Sequence, residues 1–190
     1  MNLAVYDIDE TLFHTTSRII VRSSNGVKYL SNSEYNTYTL QNGESFDFTE
    51  FSNSRVFFEQ STPMQDQIDS LKSDMKLGND VYIVTARDDF DSKELFLEKF
   101  RIHDIDIDKI RVERVGKIKD IQNPAHKKKL VIYNIMKTKQ YKTAKLVDDS
   151  KENLKEFMSL KSFFPEVNFF AKSCIINTEY RCRLSGLYSH

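Results

Sequence analysis

Three short apolar runs in this chain each stop on a hydroxyl or a carboxylate. Leu3-Ala4-Val5-Tyr6 stops on Asp7, Val81-Tyr82-Ile83-Val84 on Thr85, and Leu146-Val147 on Asp148. Continuous apolar runs of this length fit strands buried on both faces. The stretches between them carry helical spacing, and strands alternating with helices predict an α/β fold with a parallel central sheet. Ligands of such sheets bind beyond the carboxyl ends of the strands. The order of elements alone therefore directs Asp7, Thr85 and Asp148 to one edge.

The segment after Asp7 breaks this rhythm. Residues 17–22 and 27–30 are β-rich and flank Ser23-Ser24-Asn25-Gly26, and Asn-Gly is a hairpin signal. Asn42-Gly43 marks a second turn, so residues 14–60 read as a small β-rich insertion, a cap or lid within a single domain spanning 1–190. Pro63 then opens a predicted helix with Thr62 as N-cap and Ile68, Leu71, Met75 and Leu77 inward, ended by Gly78. Residues 91–101 read as a helix with Leu95, Phe96 and Phe100 inward, and 109–115 as a strand. Asn123-Pro124 starts a helix carrying Leu130, Val131, Ile135 and Met136. A strand at 144–148, a helix at 150–160 and a strand at 167–170 complete the pattern; the stretch from Asn177 has no clear assignment.

The chemistry-bearing residues cluster at the strand ends. Asp7 and Asp9 stand two apart in Asp-Ile-Asp-Glu-Thr, and along extended backbone two such carboxylates point the same way. A pair of this kind binds a divalent cation, or divides nucleophile and proton carrier between its members. Asp148-Asp149 adds two more carboxylates, which equally suit helix N-capping. Lys127-Lys128-Lys129 lies at the start of a predicted helix.

Taken in order, Asp7 to Thr11, Thr85, a lysine from 127–129 and Asp148-Asp149 resemble the four motifs of the haloacid dehalogenase (HAD) superfamily, over about residues 1 to 155. The resemblance implies a three-layer Rossmann-like fold and a Mg²⁺-dependent phosphomonoesterase working through an aspartyl-phosphate. It implies Asp7 as nucleophile and Asp9 as general acid. Asp7, Asp9 (through its backbone carbonyl), Asp148 and Asp149 would be metal ligands, and Thr85 the phosphate-binding hydroxyl. Arg87 is expected either on the phosphate or in a salt bridge with Asp88 or Asp89. Lys129-Leu130-Val131-Ile132-Tyr133 resembles the lysine-led helix of the polynucleotide kinase phosphatase domain, so Lys129 is taken as the motif lysine. It lies 19 residues before Asp148; Lys128 is the second choice, and the lysines that are not the motif lysine, Lys128 among them, are expected to be solvated or to meet substrate. Thr11 is expected to hydrogen-bond its own loop, and His14 to be packed or solvated. Residues 7–14 also resemble the polymerase C-terminal-domain phosphatases, although those usually carry Asp-Asn where this chain has Asp148-Asp149.

Composition supplies the remaining expectations. Formal net charge is zero, but residues 1–108 hold 10 basic and 20 acidic residues while 109–145 hold 12 basic and 2 acidic. A basic segment around the motif lysine either steers a nucleotide or nucleic-acid 3′ end toward the site or is a solvated face. No stretch approaches a membrane span, and no apolar leader precedes Asp7, so a cytoplasmic protein is expected. Cys174 and Cys182 form neither a disulfide framework nor a zinc pattern.

Overall fold

The computed structural model describes residues 1–35, 37–121 and 123–174. The chain begins with β1 (Asn2–Tyr6) and β2 (Phe13–His14). It then forms β3 (Ile19–Ser23), β4 (Gly26–Leu30), α1 (Asn32–Tyr35), β5 (Ser45–Asp47) and α2 (Ser54–Gln60). After β6 (Thr62–Pro63) come α3 (Gln65–Lys76), β7 (Asp80–Thr85), α4 (Lys93–Arg101) and β8 (Arg111–Arg114). The described chain ends with α5 (Pro124–Lys137), β9 (Thr143–Asp148), α6 (Lys151–Met158) and β10 (Asn168–Ser173).

Five strands form one parallel sheet in the order β10-β9-β1-β7-β8. The alternation of side chains along β1 divides the core in two. Ala4 and Tyr6 join Ile68 and Leu71 of α3 and Phe96 and Phe100 of α4 on one face. Leu3 and Val5 join Ile132, Ile135 and Met136 of α5 and Phe157 of α6 on the other. A strand buried on both sides needs apolar residues at every position, which is why β1 and β7 read as unbroken apolar runs. The result is a Rossmann-like α/β arrangement with β1 at the centre. Among the described residues, no helix is long and apolar enough to cross a membrane.

The insertion is a three-stranded antiparallel sheet, β4-β3-β5, with α1 and α2 attached. Ile19, Val21, Leu30 and Phe51 form its own small core. Its hairpin is shifted one residue from the sequence signal: Ser24-Asn25 make the turn, and Gly26 opens β4 at φ 134. The two ends of the insertion meet where β2 pairs with β6, Phe13 opposite Pro63.

Several boundaries differ from expectation. Pro63 lies in β6 rather than opening a helix, because pairing with Phe13 holds it extended; α3 starts at Gln65 and Thr62 does not cap it. Leu77 is exposed, since α3 ends one residue earlier and Gly78 turns the chain at φ 73. Leu130 is also exposed, rotated off the inner face of α5. Val115 is buried but sits in a 3-10 turn after β8, and the last strand runs to Ser173. The start of α5 agrees with expectation: Asn123 accepts from Ala125 N and His126 N, and Pro124 takes the first turn. The stretch from Asn177, and Cys182 with it, lies outside the described residues.

The turn after β8 packs against the loop after β7 at backbone distance. Gly116 N donates to Arg87 O at 3.2 Å, and a Cβ at Gly116 would lie 2.7 Å from Asp88 N. Gly116→Ala should therefore force the loops apart and cost about 1–3 kcal/mol, as overpacking does. A thermal melt would show this as a fall of several degrees; an unchanged midpoint would mean that the two loops separate freely.

Candidate active site

The central strand ends one residue before Asp7, and the backbone then leaves the extended form. Leu12 N and Phe13 N both donate to Ile8 O, at 2.9 and 3.0 Å, and Glu10 takes a positive φ of 54°. Strand alternation thus stops before it can align Asp7 with Asp9. Asp7 stays over the sheet, buried, with its N–H on Val147 O at 3.0 Å. The Asp9 side chain turns toward the inserted segment.

Lys128 reaches Asp7 from α5. Its ammonium is 2.9 Å from Asp7 Oδ1 and 2.8 Å from Asp148 Oδ2, with the side chain 2% exposed. Lys129, one residue on, points away and pairs with Glu156 of α6 at 2.9 Å. The lysine at the carboxylates is therefore Lys128, not Lys129. Helix phase decides this, because consecutive residues are rotated by about 100° and only one of three can face the sheet edge. Burial opposes the Lys128 charge, but Asp148 and Asp7 outweigh it and raise its pKa above the ordinary lysine range.

Asp148 ends β9 fully buried. Its Oδ1 accepts from Ser150 N and from Asn153 Nδ2, each at 2.9 Å, and its Oδ2 takes Lys128. Ser150 in turn caps α6 through Asn153 N. Asn153 was missed in the sequence, where it read only as helix. Its signal is its position one turn into a helix that starts beside the acidic pair.

Asp7, Asp148 and Asp149 offer carboxylate oxygens within 4.8 Å of one another. Asp9 is outside this cluster, so its carboxylate does not join the expected metal set. Burial pushes Asp7 up to about 7, with Lys128 pulling down and Asp148 and Asp9 pushing up. Asp149 is driven to about 8 by burial, then by Asp148 and Asp7. Asp7 Oδ1 is close to Lys128 but lacks a hydrogen bond of good direction. A buried, undersatisfied carboxylate oxygen among three acids is the donor set a hard divalent cation prefers.

Asp9 is held by Arg87. Arg87 Nε donates to Asp9 Oδ2 at 2.9 Å and Nη2 to Oδ1 at 2.7 Å, while Nη1 donates to Phe51 O at 2.6 Å. Thr15 Oγ1 donates to the same Oδ1 at 2.8 Å. The guanidinium has no exposed side-chain surface and lies about 5 Å from the rings of Phe51, Phe57 and Phe90. Arg87 is thus neither a phosphate contact nor a partner of Asp88 or Asp89. Its donors are committed to Asp9 and to the insertion, in the planar bidentate geometry that guanidinium favours. Asp88 and Asp89 instead pair with Lys119, Arg114 and Lys117.

Thr85 ends β7 fully buried, its Oγ1 accepting from Arg87 N at 3.2 Å. Thr11 does not bond its loop through the side chain; its buried Oγ1 has no hydrogen-bond partner among the described residues. His14 Nδ1 meets Glu10 Oε2 at 2.7 Å, and its side chain is half-buried, partly packed and partly solvated. The basic segment is largely spent on carboxylates within the chain: Lys139 on Asp80, Lys145 on Asp74, and Lys129 and His126 on Glu156.

No protein-family model and no curated protein matches this chain. Among solved structures it is similar to DsGPDH of Dunaliella salina, with 11% identity and a TM-score of 0.41. The match covers 96% of this chain and 25% of that one, so the chain spans a quarter of that neighbour's length.

Two outcomes follow from the buried charges. Lys128→Met leaves Asp7 and Asp148 without their cation and should cost about 3–5 kcal/mol, as breaking one side of a buried pair does. Lys129→Met should stay within about 1 kcal/mol. Urea unfolding of both variants checks this, and equal losses would refute the assignment of Lys128.

The second concerns pH. With folded pKa values of about 7 and 8, Asp7 and Asp149 hold protons that the unfolded chain has lost. Without a cation, their contribution to stability is full below about pH 4 and is lost as pH rises through 7 to 8. A divalent cation needs both groups ionised, so its binding must expel protons. The stabilisation conferred by Mg²⁺ should therefore grow between pH 6 and 8. Thermal melts with and without Mg²⁺ test it, and an equal increment at both values would contradict the linkage.

Proposed function

We propose that this chain is a Mg²⁺-dependent phosphomonoesterase of HAD type that works through an aspartyl-phosphate. The observation that carries the reading is the meeting of Asp7, Lys128, Asp148 and Asp149 at the carboxyl edge of the sheet, with a separate carboxylate, Asp9, fixed by Arg87. Cation binding alone needs the first set only. A second carboxylate beside it suits proton transfer once one of its contacts to Arg87 or Thr15 opens, since the guanidinium at rest favours the anion.

In this reading Asp7 attacks phosphorus and forms an acyl-phosphate P–O bond as the bond to the leaving oxygen breaks. Asp9 supplies a proton to that oxygen. Asp9 then takes a proton from water as the water attacks phosphorus, the bond to Asp7 breaks, and inorganic phosphate leaves. Both Asp9 oxygens carry hydrogen bonds at rest, so one contact to Arg87 or Thr15 opens when Asp9 holds the proton. Lys128 offsets charge on Asp7 and positions it against Asp148. Asp7, Asp148 and Asp149 would hold the cation, which supplies the positive charge that lets an anionic carboxylate approach an anionic phosphate. Thr85 stands at the neighbouring strand end as a neutral donor to phosphate oxygen.

For the substrate we propose a nucleotide or a phosphorylated nucleic-acid end. Pairing of the 109–145 cations with acids of the same chain removes most of the long-range steering argument for a polyanion, so recognition rests on groups close to the carboxylate cluster.

The roles separate experimentally. Asp7→Asn should abolish phosphate release with the fold intact by thermal melt. Asp9→Asn should slow hydrolysis by about 10²–10⁴-fold for alkyl phosphates, the usual contribution of a general acid, and far less for activated aryl phosphates. Residual activity of Asp7→Asn within a few-fold of the parent would remove Asp7 as nucleophile. An equal loss on both ester types would remove Asp9 as acid.

A further inference from the structure

The turn that follows Asp9 holds a side chain where the backbone favours none. Glu10 sits at φ 54, in the left-handed region that glycine enters freely and other residues enter under strain. Strain of this kind persists where the surroundings over-determine it. Here the backbone reverses, with Glu10 N donating to Phe13 O at 2.8 Å, and the Glu10 side chain reaches back to the first residues of the insertion.

The Glu10 carboxylate is buried, and among the described residues no lysine or arginine pairs with it. Its oxygens accept from three groups instead. Oε1 takes Thr15 N at 3.1 Å and, at the long distance of 3.5 Å, Asn32 Nδ2 of α1; Oε2 meets His14 Nδ1 at 2.7 Å. Donors on both oxygens are what a buried carboxylate requires. Closing the turn accounts for these bonds, but not for where Thr15 leads. The Thr15 hydroxyl donates to Asp9 Oδ1 at 2.8 Å. Thr15 is thus fastened at both ends, its backbone to Glu10 and its side chain to Asp9, and it too is buried. Asp9 is then held by two segments: Arg87 from the loop after β7, and Thr15 from the start of the insertion.

We propose that Glu10 is a positioning residue for the proton-transfer step, holding Thr15 so that the Thr15 hydroxyl and Arg87 together keep Asp9 in one orientation. This rests on the phosphomonoesterase reading above. Glu10 acts through Thr15 and Asp9, and Asp7 is outside its reach because Lys128 and Val147 O hold that residue. Proton transfer requires the acid within hydrogen-bond reach of the leaving oxygen, and a misplacement of about 1 Å costs up to about a hundredfold.

The test compares kcat and KM, with Mg²⁺, for ethyl phosphate and p-nitrophenyl phosphate in wild type, Glu10→Ala, Glu10→Gln, Thr15→Val and Thr15→Ser. The alkyl oxygen needs a proton to leave, whereas p-nitrophenolate leaves without one. Glu10→Ala and Thr15→Val should each lower kcat for ethyl phosphate by about 10–100-fold with KM little changed. Their kcat for p-nitrophenyl phosphate should stay within about threefold of the parent. Glu10→Gln keeps an oxygen for Thr15 N and Thr15→Ser keeps the hydroxyl, so each should recover most of the loss. In an Asp9→Asn background, Glu10→Ala should cost nothing further on the alkyl ester. Equal losses on both esters, unchanged kcat in Glu10→Ala, or a full further loss in the Asp9→Asn background would each overturn the assignment. If Glu10→Ala does not fold, Glu10→Asp carries the same comparison, since its shorter side chain withdraws from Thr15 N. Failure of wild type to release phosphate from either ester would count against the phosphatase reading alone. Urea unfolding then decides for Glu10. The midpoint shift of the Asp9→Asn, Glu10→Ala double variant should be smaller than the sum of the single shifts, because both substitutions cut one chain of bonds, and additive shifts would overturn it.

Discussion

The ammonium of Lys128, between Asp7 and Asp148, is the contact on which the rest of the site depends. It joins α5 to the ends of two neighbouring strands, β1 and β9. A charge this deeply buried is tolerated only when its partners are close and themselves hydrogen-bonded. Asp148 meets that condition through Ser150 N and Asn153 Nδ2, which also fixes the start of α6. One buried cation thus sets the positions of two helices relative to the central strand, and the carboxylate geometry follows from them.

Arg87 plays the corresponding part on the other side. It binds Asp9 with two nitrogens and the insertion with the third. The insertion is therefore joined to the core at the same group that orients Asp9. A second tie lies beside it, where Asp91 N donates to Ser52 O and Asp91 Oδ1 accepts from Ser54 N at 2.9 Å. A shift of the insertion would be felt first at Asp9, and Asp7 would be spared because its partners come from the sheet and α5. The acid and the nucleophile are thus positioned by separate structural units.

The layered fold was legible in the sequence because burial on both faces leaves an unbroken apolar run in β1 (Leu3 to Tyr6) and in β7 (Val81 to Val84), and because Asn123-Pro124 and Gly78 mark helix ends by local chemistry. Asp7, Thr85 and Asp148 were legible for the same reason, as the polar residues that stop apolar runs. Asp9 and Arg87 were visible as residues but not in their arrangement. The positive φ at Glu10 redirects Asp9 after the strand ends, and pairing between residues 78 apart has no local signature. The choice among Lys127, Lys128 and Lys129 failed for a different reason. A similar spacing in another family does not fix helix phase, and here the face of α5 that carries Ile132, Ile135 and Met136 also carries Lys128. The charge asymmetry was legible too, but its meaning was not: most cations of the basic segment pair with acids of the same chain, many of them at the surface.

Charge balance then constrains what the site can hold. Four carboxylates, Asp7, Asp9, Asp148 and Asp149, meet two cations, Lys128 and Arg87. Arg87 answers Asp9, and Lys128 is shared by Asp7 and Asp148. The excess falls within the cluster of Asp7, Asp148 and Asp149, and it amounts to two negative charges. Without an ion, protons must carry part of that excess, which is why Asp7 and Asp149 are pushed to about 7 and 8. A divalent cation satisfies the same excess with the carboxylates ionised, and Asp7 must be ionised to act as a nucleophile. The features that raise these pKa values are the ones that make the cluster receptive to a cation, so protonation and metal binding are competing answers to one buried charge imbalance.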